Sequence, residues 1–179
     1  MTAEDPRVSL EPLSVAHAPC MFAVLSDPAI YEFLDDRRPE SLEAVRERYL
    51  MLERGWSSDR TQRWLNWIVR LDAGECAGFV QATVYATGTA DFAFVFGTAF
   101  QGKGIARAAS ARAITILRDR YGVQALFATA DARNARSVRL LERLGFEPVA
   151  ARDYPHGTVS VGDVAFRKRL RPESAPASR

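Results

Sequence analysis

Cysteine and histidine are nearly absent: the 179 residues hold only Cys20, Cys76, His17 and His156. So few and such scattered ligands argue against a metal centre, and no metal site is expected. The two cysteines sit in no metal or redox spacing and read as reduced core thiols. Excess charge is lacking too. A formal net charge of +2 is too small to indicate a nucleic-acid partner. No apolar run approaches the length of a membrane span. The opening MTAEDPRVSL lacks both the basic and the apolar region of a secretory signal. The expectation is a cytoplasmic protein with no membrane partner. The remaining composition, 47% hydrophobic and 26% charged, is that of an ordinary globular chain. Its length suits one domain, placed over residues 1–170, with the polar tail RPESAPASR at 171–179 read as disordered. No internal repeat is visible.

The most informative stretch runs from Thr89 to Gly122. Asp91 to Phe96 alternates as a strand, with Phe92, Phe94 and Phe96 on one face. Gln101-Gly102-Lys103-Gly104-Ile105-Ala106 then turns into a helix whose apolar residues Ile105, Ala109, Ala113, Ile116 and Leu117 recur at helical spacing. Glycines at a helix start let backbone N–H groups approach a ligand, and the helix dipole favours negative charge there. A phosphate site follows as the leading hypothesis.

Three glycine patterns compete for this loop. Gly97, Gly102 and Lys103 fit the start of a P-loop, but Gly104 stands where Ser or Thr must hold magnesium. A dinucleotide fingerprint wants Gly or Ala at position 107, which is Arg107. The third pattern, (Gln/Arg)-x-x-Gly-x-(Gly/Ala), is satisfied by Gln101, Gly104 and Ala106. Arginines cluster between Arg107 and Arg143, either as a solvated face or beside an anionic ligand.

Taken in order, the chain predicts a strand at Val8 to Pro12 and helical text from Val15 to Leu34 interrupted by Pro28. A helix capped by Ser41 runs to about Arg54. Strands follow at Trp64 to Leu71 and Cys76 to Ala86, joined by the turn Asp72 to Glu75; consecutive hairpins imply an antiparallel meander. After the long helix, Val123 to Ala130 predicts a strand parallel to the one at Asp91 to Phe96. Asn134 caps a short helix from Ala135 to Leu144. Strands from Phe146 and from Asp163 to Leu170 flank a loop.

The segment from Asn134 to Phe146 is the second motif, with Ser137, Leu140, Leu141 and Leu144 on one helical face. An Asn-x-x-Ser-x-x-Leu-x-Glu-x-x-Gly-Phe segment about thirty residues after a Gln-x-x-Gly-x-Ala loop resembles the RimJ/RimL-like branch of the GNAT acetyltransferase superfamily. Leu10 to Leu13, Leu25 to Pro28 and Asp163 to Phe166 are similar to the same branch, so the likeness spans nearly the whole chain.

The resemblance implies an α/β (α+β) fold, a mixed, mostly antiparallel twisted sheet of about seven strands flanked by about four helices. It implies acetyl-CoA as co-substrate, with the Gln101, Gly102, Lys103, Gly104, Ile105 and Ala106 loop on its pyrophosphate. Phe94, Val95 and Phe96 would pair with the pantetheine arm, Asn134 would hydrogen-bond that arm, and Ser137 matches the position that protonates the departing thiolate. Asp91 stands where many relatives carry Glu. Transfer would be direct, to a primary amine that is either a protein N-terminus or a small molecule. An α-amine, with a pKa of about 8, needs a weaker base than a lysine at about 10.4. Candidate bases are Glu32, Asp91 and Asp131; Tyr31 and Trp56 are candidates to line an acceptor pocket, and Tyr154 and His156 lie in a loop within reach. The acceptor's identity and the choice between monomer and homodimer stay open. The alternative reading is a non-catalytic sensor of acetyl-CoA; the conflict at Gly104 disfavours a third, a P-loop-like nucleotide binder.

Overall fold

A computed structural model describes residues 6–170. The expected tail at 171–179 lies outside the described residues, as do residues 1–5. The turns at Asp72 to Glu75 and Thr87 to Gly88 produce the meander that their hairpin spacing predicts. β2 (Gln62–Leu71), β3 (Cys76–Tyr85) and β4 (Thr89–Phe96) pair antiparallel in succession, with β1 (Val8–Pro12) along the outer edge of β2. The helix α3 (Ile105–Tyr121) then returns the chain, and β5 (Ala125–Asp131) lies parallel to β4. β7 (Asp163–Arg169) pairs with β5, and the short β6 (Glu147–Val149) closes the far edge. The seven strands run in the order β1-β2-β3-β4-β5-β7-β6. Pro12 and Pro148 both lie in edge strands, where a missing N–H breaks no central ladder.

Three further helices pack on this sheet: α1 (Ala18–Leu25), α2 (Leu42–Leu52) and α4 (Ala135–Arg143). Pro28 starts a 3-10 turn rather than continuing α1, and Asp27 caps that turn by accepting from the Ala29 N–H at 2.9 Å. Ser41 accepts from the Ala44 N–H at 3.1 Å and fixes the start of α2. The period of two sends alternate strand residues to opposite faces. One face buries Val80, Phe92 and Leu126 against Ala109, Ala113 and Leu117 of α3. The other buries Ile68 and Cys76 against Met21 of α1 and Val45 of α2. Each large apolar side chain so covered contributes on the order of 1.5–3 kcal/mol.

The cysteines correct the sequence reading. Cys20 and Cys76 are not reduced thiols but a disulfide, with Cα atoms 5.9 Å apart. Packing of α1 on β3 brings together residues separated by 56 positions, a proximity that no local spacing announces. A different close approach shapes the sheet centre. A Cβ at Gly78 would sit 2.1 Å from the Val95 carbonyl oxygen, so only glycine lets β3 press against β4 there.

The decisive feature for function is where β4 and β5 part. They pair only at Thr89↔Ala125, Ala90↔Leu126 and Asp91↔Phe127. Beyond Asp91, β4 continues to Phe96 with β3 on one side and, among the described residues, no strand on the other.

Candidate functional site

The parted strands open a cleft of about 660 Å³. Its wall on one side is the free edge of β4. Gly97 donates to the Ala77 carbonyl at 3.0 Å, and antiparallel pairing alternates from there. The backbone groups of Val95 therefore face β3, and those of Phe94 and Phe96 face the open edge. A strand edge with unpaired N–H and C=O groups is a template for anything extended that carries amides.

The edge leads into the glycine loop. Gly102 and Gly104 have φ of 75° and 76°, a left-handed conformation that favours glycine. Gly104 is also the N-cap of α3 and carries no side-chain cap. Among the described residues, the N–H groups of Gly102, Lys103, Gly104, Ile105 and Ala106 donate to no backbone carbonyl. Successive free N–H groups at the positive end of a 17-residue helix form a cradle for an anion. Gln101, Gly102, Gly104, Ile105 and Ala106 line the cleft; Lys103 is exposed and does not.

Charge in the cleft matches that cradle. Among the described residues, Arg107, Arg133, Arg136, Arg139 and Arg143 line it against one carboxylate, Glu32. Arg136 donates to the Gln101 side-chain oxygen and ties α4 to the loop. Arg133 is bound to Asp131 at 2.6 Å. This hydrogen bond from Arg133, together with one from its backbone N–H, holds the Asp131 carboxyl at about 2. Asp131 is thereby occupied and lies outside the cleft.

Asn134 and Ser137 meet the cleft from its far side, where β5 runs into α4. The Asn134 side-chain oxygen accepts from the Ser137 N–H at 3.1 Å, so Asn134 caps α4 as its position predicts. The Ser137 hydroxyl makes no hydrogen bond with the described residues and is left for a ligand. Phe94, Val95 and Phe96 line the opposite wall, and Glu32 enters from the 3-10 turn after α1.

Asp91 stands elsewhere. It does not line the cleft, and its carboxylate is fully engaged. Tyr85 donates to Oδ2 at 2.8 Å, and Tyr154 donates to Oδ1 at 2.7 Å. His156 Nδ1 lies 2.7 Å from the same Oδ1, with Nε2 2.8 Å from the Thr89 hydroxyl. The Tyr85 ring stacks on His156 with centroids 3.8 Å apart. Burial, and then the hydrogen bond to Asp91, pushes both phenols well above the ordinary tyrosine range. The sequence placed Tyr154 and His156 in a loop within reach. It did not single out Tyr85, whose only signal is its place at the end of β3 opposite Thr89.

A second, smaller pocket of about 170 Å³ lies between α2 and the sheet. Leu13, Leu25, Val45, Leu52 and Phe79 give it apolar walls, and Tyr31 and Tyr49 line it. Ile30, Leu34 and Val95 belong to both the pocket and the cleft, so the two adjoin. Trp56 lines neither; it is exposed, with Arg63 over its ring at 5.3 Å. Among the described residues there is no cluster of three metal-ligating side chains.

Residues 7–147 match the family model described as an acetyltransferase (GNAT) domain. No curated protein sequence matches the chain. Among solved structures, the chain is similar to RimL, the ribosomal L7/L12 α-N-protein acetyltransferase in complex with coenzyme A. That match has a TM-score of 0.75 and 17% identity over 93% of this chain and 96% of the other. It is similar to the ribosomal-protein-S5-alanine acetyltransferase from Vibrio fischeri, with a TM-score of 0.73 and 18% identity over 94% and 95% of the two chains. A spermidine N-acetyltransferase from Vibrio cholerae in complex with CoA and spermine gives 0.70 and 18% over 89% and 92%. At these identities the structural likeness establishes the fold.

Proposed function

Because the chain belongs to the GNAT acetyltransferase domain family, we propose that it is an N-acetyltransferase moving the acetyl group of acetyl-CoA to a primary amine. The observation that carries this reading is the free β4 edge running into the Gly102 to Ala106 cradle. An extended, amide-bearing arm that ends in a pyrophosphate is complementary to both parts at once. Among the described residues, five arginines and one glutamate line the cleft, a balance that suits a ligand with several phosphates. The RimJ/RimL-like branch is our reading within the family, supported by the spacing of Asn134, Ser137, Gly145 and Phe146 and by the likeness to RimL.

Acetyl-CoA supplies an acetyl group activated as a thioester. The backbone groups of Phe94 and Phe96 would hold the arm in line, and the loop N–H groups would hold the phosphates. Ser137 would hold the proton required by the departing sulfur, at the mouth of a helix whose cap leaves its hydroxyl unengaged. Glu32 is the one carboxylate among the described cleft residues and the group we assign to receive the amine proton, directly or through water. Asp91 we assign to holding the Tyr154 to His156 segment, since three donors already use its carboxylate.

One domain over residues 1–170 and a cytoplasmic location complete the proposal. Among the described residues no helix is long and apolar enough to cross a membrane. The Cys20–Cys76 disulfide pulls the other way, towards an oxidising setting. Titration with acetyl-CoA and free-thiol release over an amine panel test the function. Binding with amine-dependent release is the expected result; no binding would overturn the reading, and binding without release would favour the sensor. Ser137→Ala should slow turnover ~100-fold, the scale of one acid–base group, with little change in acetyl-CoA affinity.

A further inference from the structure

The pocket beside α2 has the size and chemistry of a side-chain site. Cavities of about 150 Å³ lined by Leu, Ile and Phe hold benzene, and this one measures about 170 Å³ with walls of the same kind. Among the described residues its acidic lining is Asp36 alone, which is already paired with Arg48 at 2.8 Å and bonded by the Arg37 N–H. Arg37 and Arg48 line the same rim, so the pocket offers no spare negative charge to a second ammonium group. Its polar floor is Asn66 and Gln81, opposed on β2 and β3. Among the described residues, neither side-chain amide makes a hydrogen bond. The Tyr49 hydroxyl is likewise buried without a partner. The pocket meets the cleft at Val95, one residue along β4 from the free edge at Phe94.

We infer that this pocket receives the apolar side chain of an α-amine acceptor, of leucine or phenylalanine size, while the Asn66 and Gln81 amides bind the carbonyl next to that amine. The inference rests on the acetyltransferase reading and narrows it. Seating the side chain between α2 and Phe79 turns the α-nitrogen towards the shared wall at Val95. The nitrogen then forms its bond to the acetyl carbon as the carbon–sulfur bond breaks, giving up one proton while the sulfur leaves as a thiol. An α-amine also suits a site where Glu32 is the one carboxylate among the described cleft residues, because about a tenth of such amines are already neutral near pH 7. A polyamine fits poorly, because among the described pocket residues its further ammonium groups would face two arginines and no unpaired acid.

The test is thiol release by the full chain with acetyl-CoA and phenylalaninamide, leucinamide, a Phe-Ala dipeptide, free phenylalanine, alaninamide and spermidine. We expect kcat/KM for phenylalaninamide and leucinamide to exceed that for alaninamide and spermidine at least ~10-fold, the discrimination one or two methylenes bring in an apolar pocket. Activity on free phenylalanine equal to the dipeptide would assign an amino acid as the source of the α-amine, and preference for the dipeptide a peptide N-terminus. Ala44→Trp, at an exposed α2 residue lining the pocket, should raise KM for phenylalaninamide ~10-fold and leave acetyl-CoA affinity and thermal midpoint unchanged. Alaninamide or spermidine turned over as well as phenylalaninamide would overturn the inference and leave the acetyltransferase standing. Acetyl-CoA binding with no release from any amine would overturn both, as would failure to bind acetyl-CoA.

Discussion

Replacing Asp91 by Asn separates an anchor from a base. The substitution keeps size and one carbonyl oxygen but removes the charge that three donors share. Each charge-assisted bond contributes about 1.5–3 kcal/mol and a neutral one about 1. The side chain is only 27% exposed, so solvent replaces little of what is lost. Three weakened bonds therefore cost about 3 kcal/mol, with the Tyr85 hydroxyl able to turn and accept from the new amide. For a chain of this size that is a fall of roughly 6–12 °C in Tm. The assay pairs urea unfolding at pH 7 with steady-state turnover of the folded fraction. We expect the stability loss in full and kcat within a few-fold of the parent. A general base contributes about 10²–10⁴ to rate. A hundredfold fall in kcat at unchanged stability would refute the anchor and restore Asp91 as the base.

Gly104→Ala forces a left-handed φ of 76° on a residue with a Cβ, at a cost of about 1–2 kcal/mol. Nothing clashes, the nearest atom being Pro6 Cδ at 3.5 Å, so the chain should fold and acetyl-CoA affinity should fall ~10-fold by titration. An unchanged affinity would remove the loop from the binding site. Tyr49, Tyr85 and Tyr154 stay protonated in the fold above the ordinary pKa of 10.0. Above about pH 10 the unfolded chain gives up protons that the folded chain keeps, so stability is full below pH 10 and falls as pH rises. Urea midpoints between pH 8 and 11 measure that slope, and Tyr154→Phe should flatten it. The Cys20–Cys76 bond spans 56 residues, so reduction should lower unfolding free energy by about 4 kcal/mol on the chain-entropy account. An unfolding midpoint indifferent to reductant would show that the bond is absent in solution.

Local chemistry made most of the fold legible. Turn residues at Asp72 to Glu75 and at Gly88, the period-2 aromatics of β4 and the caps Ser41 and Asn134 each act over a few residues. Two stretches that line the cleft were legible for the same reason, since Gln101 to Ala106 and Asn134 to Ser137 are contiguous motifs. What escaped is long-range. Cys20 meets Cys76, and Asp91 meets Tyr154 and His156, only because two helices and a loop of no periodicity fold back over one sheet face. The pocket beside α2 escaped as well, apart from Tyr31. Its lining comes from six separate segments, and no one of them carries its pattern.

Three residue pairs are all the strand pairing that joins a four-stranded half-sheet to a three-stranded one across the β4–β5 seam. A ligand lying along that seam would act as an eighth strand made of pantetheine, splinting two half-sheets whose strand pairing otherwise ends at Asp91–Phe127. Occupancy would then be a mechanical property of the protein as much as a chemical one. In the free protein the seam beyond the Asp91–Phe127 pair is without strand pairing, and a bound arm would stiffen it. An acceptor seated across Val95 would feel that stiffness before any bond changed.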